Sequence, residues 1–159
     1  MYFFKIAGAL ILALSGVVGA LTMNSAASKR ASQSEALISF LRFVRSRIEC
    51  FSLPASEIIQ RCDKSLISEC GYSGDVLPRD MGDLFEAMGI RDDESYRILQ
   101  GFAEGFGNSY REEQLKECDY YIELLCERSQ KIGEELPKKK KLNSTLCISS
   151  ALGVAILLL

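Results

Sequence analysis

The chain has 159 residues, with 19 Lys and Arg against 21 Asp and Glu, a formal net charge of -2 and no histidine. This length suits one domain of ordinary size. Because histidine is absent, neither a Ser-His nor a Cys-His nucleophile pair can form, which excludes those classes of hydrolase.

Charge is confined to the middle of the chain. Apart from Lys5, every charged residue lies between Lys29 and Lys141. Residues 31–137 carry 12 Lys and Arg against 21 Asp and Glu, a net charge of -9. Carboxylates repel phosphates, so nucleic acid is disfavoured as a partner. An acidic segment suits a basic protein partner, although exposed charges more often only solvate helix faces.

The N-terminal uncharged run is long enough to cross a bilayer. Residues 6–23 read IAGALILALSGVVGALTM, and about 20 helical residues span a hydrocarbon core of roughly 30 Å. A cleaved signal peptide is the alternative, since Lys5 precedes the run and the small residues at 18–20 or 25–27 resemble a cleavage site. The run exceeds the usual apolar region of a signal peptide, about 7–15 residues, which favours a retained anchor.

The C-terminal run at 142–159 reads LNSTLCISSALGVAILLL and is just long enough to span the core. Positive residues border both apolar runs on the side of the middle segment: Lys29, Arg30, Lys138, Lys139, Lys140 and Lys141. Such flanks stay in the cytosol. We therefore expect both ends to contact membrane lipids, with the middle segment cytosolic and both chain ends outward.

These patterns divide the chain into four predicted parts. They are an N-terminal membrane anchor (1–28), a soluble helical domain (29–137), a polybasic linker (138–141) and a C-terminal membrane helix (142–159).

The first helix of the predicted domain can run straight on from the membrane helix. Its apolar positions recur at steps of three and four, at Leu37, Phe40, Leu41, Val44, Ile48 and Phe51. A second helix is predicted to start at Pro54, with Ser52 or Leu53 near its cap, and to extend as far as Cys70. Residues 71–74 (GYSG) form a predicted turn.

Two shorter helices are predicted next. One starts at Pro78, ends at Gly89 and directs four residues inward: Met81, Leu84, Phe85 and Met88. The other starts at Asp92–Glu94, where negative charge favours a helix N-terminus. It is expected to end near Gly107 and to place four aromatic or apolar residues on one side: Tyr96, Leu99, Phe102 and Phe106.

The last predicted helix has the clearest pattern. Ser109 and Glu112 fit a capping box. A heptad seam follows, at Leu115, Cys118, Ile122, Leu125, Ser129, Ile132 and Leu136. Such a seam fits either a core-facing helix of a bundle or a coiled coil, so self-association stays open. Pro137 is expected to kink or end the helix.

The predicted fold is therefore all-α: a helical bundle of about four to five helices flanked by an N-terminal and a C-terminal transmembrane helix.

No residue pattern indicates catalysis. The six cysteines include Cys147 in the C-terminal apolar run, no C-x-x-C occurs, and most lie at apolar helical positions, where free Cys acts as a small hydrophobe. Neither a disulfide framework nor a structural metal is expected. No phosphate-binding loop is present. We expect no enzyme activity, no cofactor and no small-molecule substrate.

Acidic residues are the candidate partner-binding sites. Asp80, Asp83 and Glu86 lie three apart and share one helix face. Asp92 and Asp93 join them, although a helix start explains these two better than a cation site, because EF-hand spacing is absent.

Three segments carry a family resemblance. Residues 36–59 read ALISFLRFVRSRIECFSLPASEII, residues 84–89 read LFEAMG and are followed by Ile90-Arg91-Asp92, and the chain finishes in Leu157-Leu158-Leu159. Read in order, the chain resembles stage III sporulation protein AB of endospore-forming bacteria. It departs from that family at 143–145, where Asn-Ser-Thr replaces the glycines usual before the final membrane helix.

The resemblance implies a soluble domain similar to the cytoplasmic helical domains of type II secretion F proteins. It implies a non-enzymatic membrane platform or adaptor subunit of a secretion-like channel complex in sporulation. The protein would lie in the mother-cell-derived membrane around the forespore, with its domain in the mother-cell cytosol. Its partners would be other subunits of the complex, including a cytosolic ATPase.

Two alternatives remain from the residues alone. The first is an exported, tail-anchored helical protein with a cleaved N-terminal signal. The second is a small membrane enzyme or its regulator, which would need a chemical site that the residue pattern does not offer.

Overall fold

The computed structural model describes the backbone of residues 2–51 and 53–158, and side chains within residues 18–51 and 53–150. Over these residues the chain contains α-helices and no strand, which confirms the predicted all-helical fold. The helices are α1 (Tyr2–Phe51), α2 (Ala55–Gln60), α3 (Lys64–Glu69), α4 (Met81–Ala87), α5 (Asp93–Gly105) and α6 (Arg111–Leu158).

The chain folds into two compact units. The central unit is Arg30–Ile132, and the terminal unit combines Met1–Lys29 with Gly133–Leu159. Both long helices, α1 and α6, contribute residues to both units.

All six helices contribute to one hydrophobic core in the central unit. Phe85 of α4 lies at its centre, edge-on to Phe40 of α1 with 6.0 Å between ring centroids, and 6.3 Å from the ring of Phe102 of α5. Fully burying such a ring stabilises the fold by about 1.5–3 kcal/mol. The inward set predicted for α4 is confirmed, since Met81, Leu84, Phe85 and Met88 are all buried.

α1 continues without a break from the N-terminal run into the predicted domain helix. Five of the six predicted apolar positions are buried. Phe51 is the exception, with 57% exposure, because α1 ends there. Its ring instead lies 5.9 Å from the guanidinium of Arg47.

The single helix predicted from Pro54 to Cys70 is wrong, because two short helices replace it. α2 ends at Gln60, and the Asp63 carboxylate accepts a hydrogen bond from the Ser65 amide (2.9 Å), which caps a new helix, α3. Pro54 itself precedes α2 and supplies no side-chain cap. Ser52, the other predicted cap, lies outside the described residues.

α4 begins at Met81, so the start predicted at Pro78 is wrong. Asp80 is the cap, and its Oδ1 accepts hydrogen bonds from the amides of Gly82 (2.7 Å) and Asp83 (3.4 Å). The predicted helix end near Gly89 is confirmed, although Met88 is the C-cap residue and Gly89 does not adopt a positive φ. Positive φ is needed at Gly71 (106°), where the turn after α3 begins.

The capping box predicted at Ser109 and Glu112 does not form. The Ser109 hydroxyl donates instead to Glu117 Oε1 (3.5 Å), and α6 begins at Arg111. α6 also continues through Pro137, so the predicted helix end there is wrong. Lys139 and Glu135 form an ion pair across the proline, with 2.6 Å between Nζ and Oε2.

The heptad seam of α6 packs within the chain. Cys118, Leu125 and Ile132 are buried, while Leu115 and Ile122 pack against the core cluster. The core-facing interpretation of the seam is therefore confirmed over the central unit.

In the terminal unit, α1 and α6 contact each other. The Asn24 amide nitrogen donates to the Ser144 hydroxyl (3.2 Å), and a Cβ placed on Gly19 would lie 3.9 Å from Cys147 Sγ. Later α1 residues thus lie beside earlier α6 residues, so the two segments run antiparallel.

Within the part of the chain that the structure describes, no helix combines the length and apolar character needed to cross a membrane. Residues 6–17 of the first predicted span, and most of residues 151–159 in the second, have side chains outside that part.

The antiparallel pairing predicts a specific cross-link. In a Gly19→Cys variant, mild oxidation of the purified chain should join residue 19 to the native Cys147, because a Cβ at residue 19 would lie 3.9 Å from Cys147 Sγ, close enough for a disulfide after a small side-chain shift. Mass spectrometry of proteolytic fragments would detect the linked peptides. Val18→Cys is the matched control, since Val18 is an exposed neighbour, and equal linkage from both positions would contradict this pairing.

Candidate functional site

A buried carboxylate, that of Asp92, forms the main polar cluster of the central unit. Asp92 has 3% exposure and receives two hydrogen bonds from Arg128, at 2.9 Å from Nε and 2.7 Å from Nη2. Arg30 of α1 forms an ion pair with the same carboxylate. The cluster of Arg30, Asp92 and Arg128, here called the Asp92 hub, therefore connects α1, α5 and α6.

Asp92 also caps α5. Its Oδ2 accepts hydrogen bonds from the Ser95 amide (2.9 Å) and the Ser95 hydroxyl (2.8 Å). The predicted helix start at Asp92 is therefore confirmed. The bonds from Arg128, then those from Arg30 and Ser95, lower the pKa of this carboxyl far below its ordinary value, although burial opposes them. Asp92 stays ionised at neutral pH inside the fold.

The Asp92 hub contains two residues of the predicted sites. Asp92 was predicted to contact a partner, but its carboxylate is buried and bonded within the chain, so it belongs to the fold. The guanidinium of Arg30 pairs with Asp92, and its position beside a membrane stays a prediction. Lys29 is exposed.

The other predicted acidic residues are exposed. Asp83, Glu86 and Asp93 lie on the surface, and so does Asp80, which also caps α4. α4 thus presents an acidic edge, defined here as Asp80, Asp83 and Glu86. Of the polybasic residues, Lys138, Lys139 and Lys141 are exposed and Lys140 is half-buried.

Gln33 is a buried polar residue that the sequence patterns did not single out. Its amide nitrogen donates to the carbonyls of Cys70 (2.8 Å) and Gly89 (3.3 Å), and its oxygen accepts from the Arg91 amide (3.0 Å). These bonds hold the loops after α3 and α4 against α1. A Cβ on Gly71 would lie 2.5 Å from Gln33 Nε2, so the turn needs glycine there for space as well as for its φ.

Three cysteines act as core residues. Burial raises the pKa of Cys62 to about 11, and that of Cys70 and Cys118 to about 12. At neutral pH these thiols are therefore protonated and poor nucleophiles. Among the described residues, no group of three or more Cys, Asp or Glu is placed to hold a metal ion.

The family model of stage III sporulation protein AB matches residues 81–159. Over these residues the chain is similar to this family. The predicted resemblance is therefore confirmed, and the match associates the protein with sporulation. The matched residues include α4, α5 and α6, with Asp83 and Glu86 of the acidic edge, whereas the resemblance at residues 36–59 stays a prediction.

Two further comparisons gave no relatives: neither a curated protein nor a solved structure matches the chain.

The Asp92 hub predicts pH-dependent stability. Asp92→Asn keeps a residue that caps helices well but removes the charge opposite two arginines. We expect a loss of roughly 3 kcal/mol in the free energy of unfolding at pH 7, as when one partner of a buried ion pair is removed. Urea unfolding of the purified chain, followed by circular dichroism, measures it.

The sign of the pH effect follows from the depressed pKa of Asp92. Such a carboxyl stabilises the fold above its unfolded-state pKa, about 3.9, and that stabilisation is lost as the pH falls further. The gap between wild type and Asp92→Asn should therefore narrow on acidification. Asp93→Asn is the matched control and should change stability by no more than about 0.5 kcal/mol. A gap that stays constant with pH would show that the charge of Asp92 is not what stabilises the fold.

Proposed function

We propose that the protein is a non-enzymatic membrane platform subunit of a secretion-like channel complex formed during sporulation. In this proposal the central unit faces the mother-cell cytosol at the membrane around the forespore and docks partners there. The observation that carries it is the family match at residues 81–159.

Membrane attachment is supported by the sequence at both ends of the chain and by the surface of the terminal unit. Large apolar side chains are exposed on both helix segments of that unit, including Val18 and Leu21 on α1 and Leu146 and Ile148 on α6. Exposed apolar surface of this kind suits lipid better than water. Lys29 and Lys138–Lys141 adjoin these segments and favour a cytosolic position for the central unit.

An adaptor role is supported by the distribution of polar groups in the central unit. Its buried polar residues hold the helices together, as the Asp92 hub and Gln33 do, while the acidic edge of α4 is exposed. The proposed partner is a basic surface of another subunit of the complex, such as its cytosolic ATPase. Attachment at both ends of the domain would restrain its rotation when a partner pulls on it.

Topology is the first test of this proposal. The buried thiols of Cys62, Cys70 and Cys118 can stay, so only Cys50, Cys126 and Cys147 need replacement by Ser or Ala. Single cysteines are then introduced as Val76→Cys, at an 83% exposed position, or Lys139→Cys. With the protein produced in non-sporulating cells, where the cell membrane would carry it, we expect a membrane-impermeant thiol reagent to label neither site in intact cells and to label both after permeabilisation.

The background variant without added cysteines controls for the native thiols. Labelling of Val76→Cys from outside would overturn the cytosolic platform. A mature protein lacking its first residues would then identify an exported, tail-anchored protein with a cleaved signal.

The acidic edge predicts charge-dependent binding of the ATPase. Asp83→Asn combined with Glu86→Gln removes two exposed charges and leaves the Asp80 cap in place. We expect about tenfold or greater weakening of ATPase co-purification with the full-length chain, because complementary charge contributes to docking. Glu69→Gln combined with Asp75→Asn removes the same charge at other exposed positions and should bind like wild type. If both double variants lost ATPase co-purification equally, the net charge of the chain, and not the acidic edge, would determine binding.

A further inference from the structure

Five lysines lie at one level of the terminal unit. The hydrogen bond between Asn24 and Ser144 aligns its two antiparallel helix segments. Lys29 follows Asn24 by five residues and Lys139 precedes Ser144 by five, so both lie about 7.5 Å along the axis from that bond, in the same direction. The group is here called the lysine collar and consists of Lys29 on α1 and Lys138, Lys139, Lys140 and Lys141 on α6.

The lysines of α6 are distributed around the helix. α6 remains helical through residues 138–141. Successive residues of an α-helix are about 100° apart, so four in a row point to all sides of the axis. Lys138, Lys139 and Lys141 are exposed and Lys140 is half-buried. A protein surface docked on one side would reach only part of this set, whereas the headgroup layer of a bilayer surrounds a helix pair and can reach every lysine.

Exposed apolar side chains follow the lysine collar along both helices. On α6 they begin directly after Lys141, at Leu142 and Leu146. On α1 they precede Lys29, at Leu21 and Met23. Because the helices are antiparallel, both pass from lysine to apolar surface in the same direction. A phospholipid presents phosphate and then acyl chain in that order, whereas a nucleic acid or an acidic protein would leave the apolar side chains uncovered.

Two carboxylates adjoin the lysine collar. Over residues 18–29 and 133–150 the acidic residues are Glu134 and Glu135, which precede the lysines on α6, on the side away from the apolar residues. Lys139 pairs with Glu135, with 2.6 Å between Nζ and Oε2, and both side chains are about half exposed. Such surface pairs are weak. Five lysines against two glutamates leave an excess of three positive charges at this level.

We infer that the lysine collar binds the phosphate groups of anionic phospholipids. A zwitterionic lipid carries its own cation beside the phosphate, whereas an anionic lipid offers uncompensated charge to lysine, so anionic lipids are preferred. The lysine ammonium groups contact phosphates while the neighbouring apolar side chains contact acyl chains. The lysine collar thereby fixes the depth of the terminal unit in the bilayer. This inference rests on the membrane attachment proposed above and names the lipid class involved.

Spin-labelled lipids test the inference on the full-length chain. The purified chain is reconstituted into vesicles of phosphatidylcholine and phosphatidylglycerol, with a trace of either lipid in spin-labelled form. Electron paramagnetic resonance then measures the lipid fraction that the protein immobilises. At low salt we expect phosphatidylglycerol to be enriched over phosphatidylcholine by about fivefold, the scale of one lysine at an anionic surface. Added salt should reduce this preference through screening.

A triple variant locates the preference. Changing Lys138, Lys139 and Lys141 to Gln should lower the enrichment at least about twofold, whereas changing the same three residues to Arg should retain it, because the charge is kept. The matched control changes three exposed lysines of the central unit to Gln and should behave like wild type: Lys64, Lys116 and Lys131. Circular dichroism checks that each variant is folded.

Three results would overturn the inference: equal enrichment of both lipids around the wild-type chain, an unchanged preference in the Gln variant, or an equal loss in the central-unit control. The last would assign the effect to net charge. A loss in the Arg variant would overturn it as well, because the charge of the lysine collar would then not explain the preference.

The two proposals fail at different readings. If the chain immobilises neither lipid, membrane attachment itself is wrong and both proposals fail. If it immobilises both lipids equally, attachment stands and only the role of the lysine collar is lost. Lipid preference in vesicles does not depend on topology in cells or on the ATPase, so failure of the platform role would leave this result unaltered.

Discussion

The carboxylate of Asp92 connects three helices that are distant in sequence. A buried carboxylate is costly unless opposite charge and hydrogen bonds surround it. Here Arg128 bonds to both of its oxygens, Arg30 pairs with one, and Ser95 donates twice. The same group starts α5 and fixes its position between α1 and α6, so the placement of the aromatic core depends on it.

Further polar contacts set the alignment of α1 with α6 in the central unit. Arg45 of α1 bonds to Asp119 of α6, at 2.5 Å from Nε and 3.2 Å from Nη2. Arg111 at the start of α6 bonds to the backbone of Glu49 near the end of α1. Because apolar seams tolerate sliding by a helical turn, such polar contacts specify one alignment. A cleft lined by Ile48 of α1 and Arg111 of α6 depends on that alignment.

The buried ionisable groups of the central unit serve its fold. Its buried thiols are protonated, and its buried charge is neutralised within the fold. The carboxylates of the acidic edge are instead exposed. A rigid core with such a surface can position a partner, and this agrees with the platform role proposed from the family match.

Hydrophobic periodicity alone determined the helical class, the inward face of α4 and most of the seam of α6, because a core-facing helix must repeat its apolar residues every three or four positions. The order of three sequence segments, and not periodicity, indicated the resemblance to the sporulation family, which the family model matches over residues 81–159. Local capping was less predictable: Asp63 starts a helix within the single helix predicted from Pro54, and Asp80 starts α4 in place of Pro78. A carboxylate accepts hydrogen bonds from free amides, whereas a proline only lacks a donor.

Only the tertiary structure decided which acidic residues are free. Asp92 and Asp93 are adjacent and chemically identical in sequence, yet one is buried between arginines and the other is exposed. The two arginines are Arg30 and Arg128. Both lie far from Asp92 in the sequence, one before it and one after it. The same holds for Gln33, whose hydrogen-bond partners are the backbones of Cys70, Gly89 and Arg91. Pairing between distant residues leaves no periodic trace in the sequence, because it depends on how helices pack and not on how each one forms.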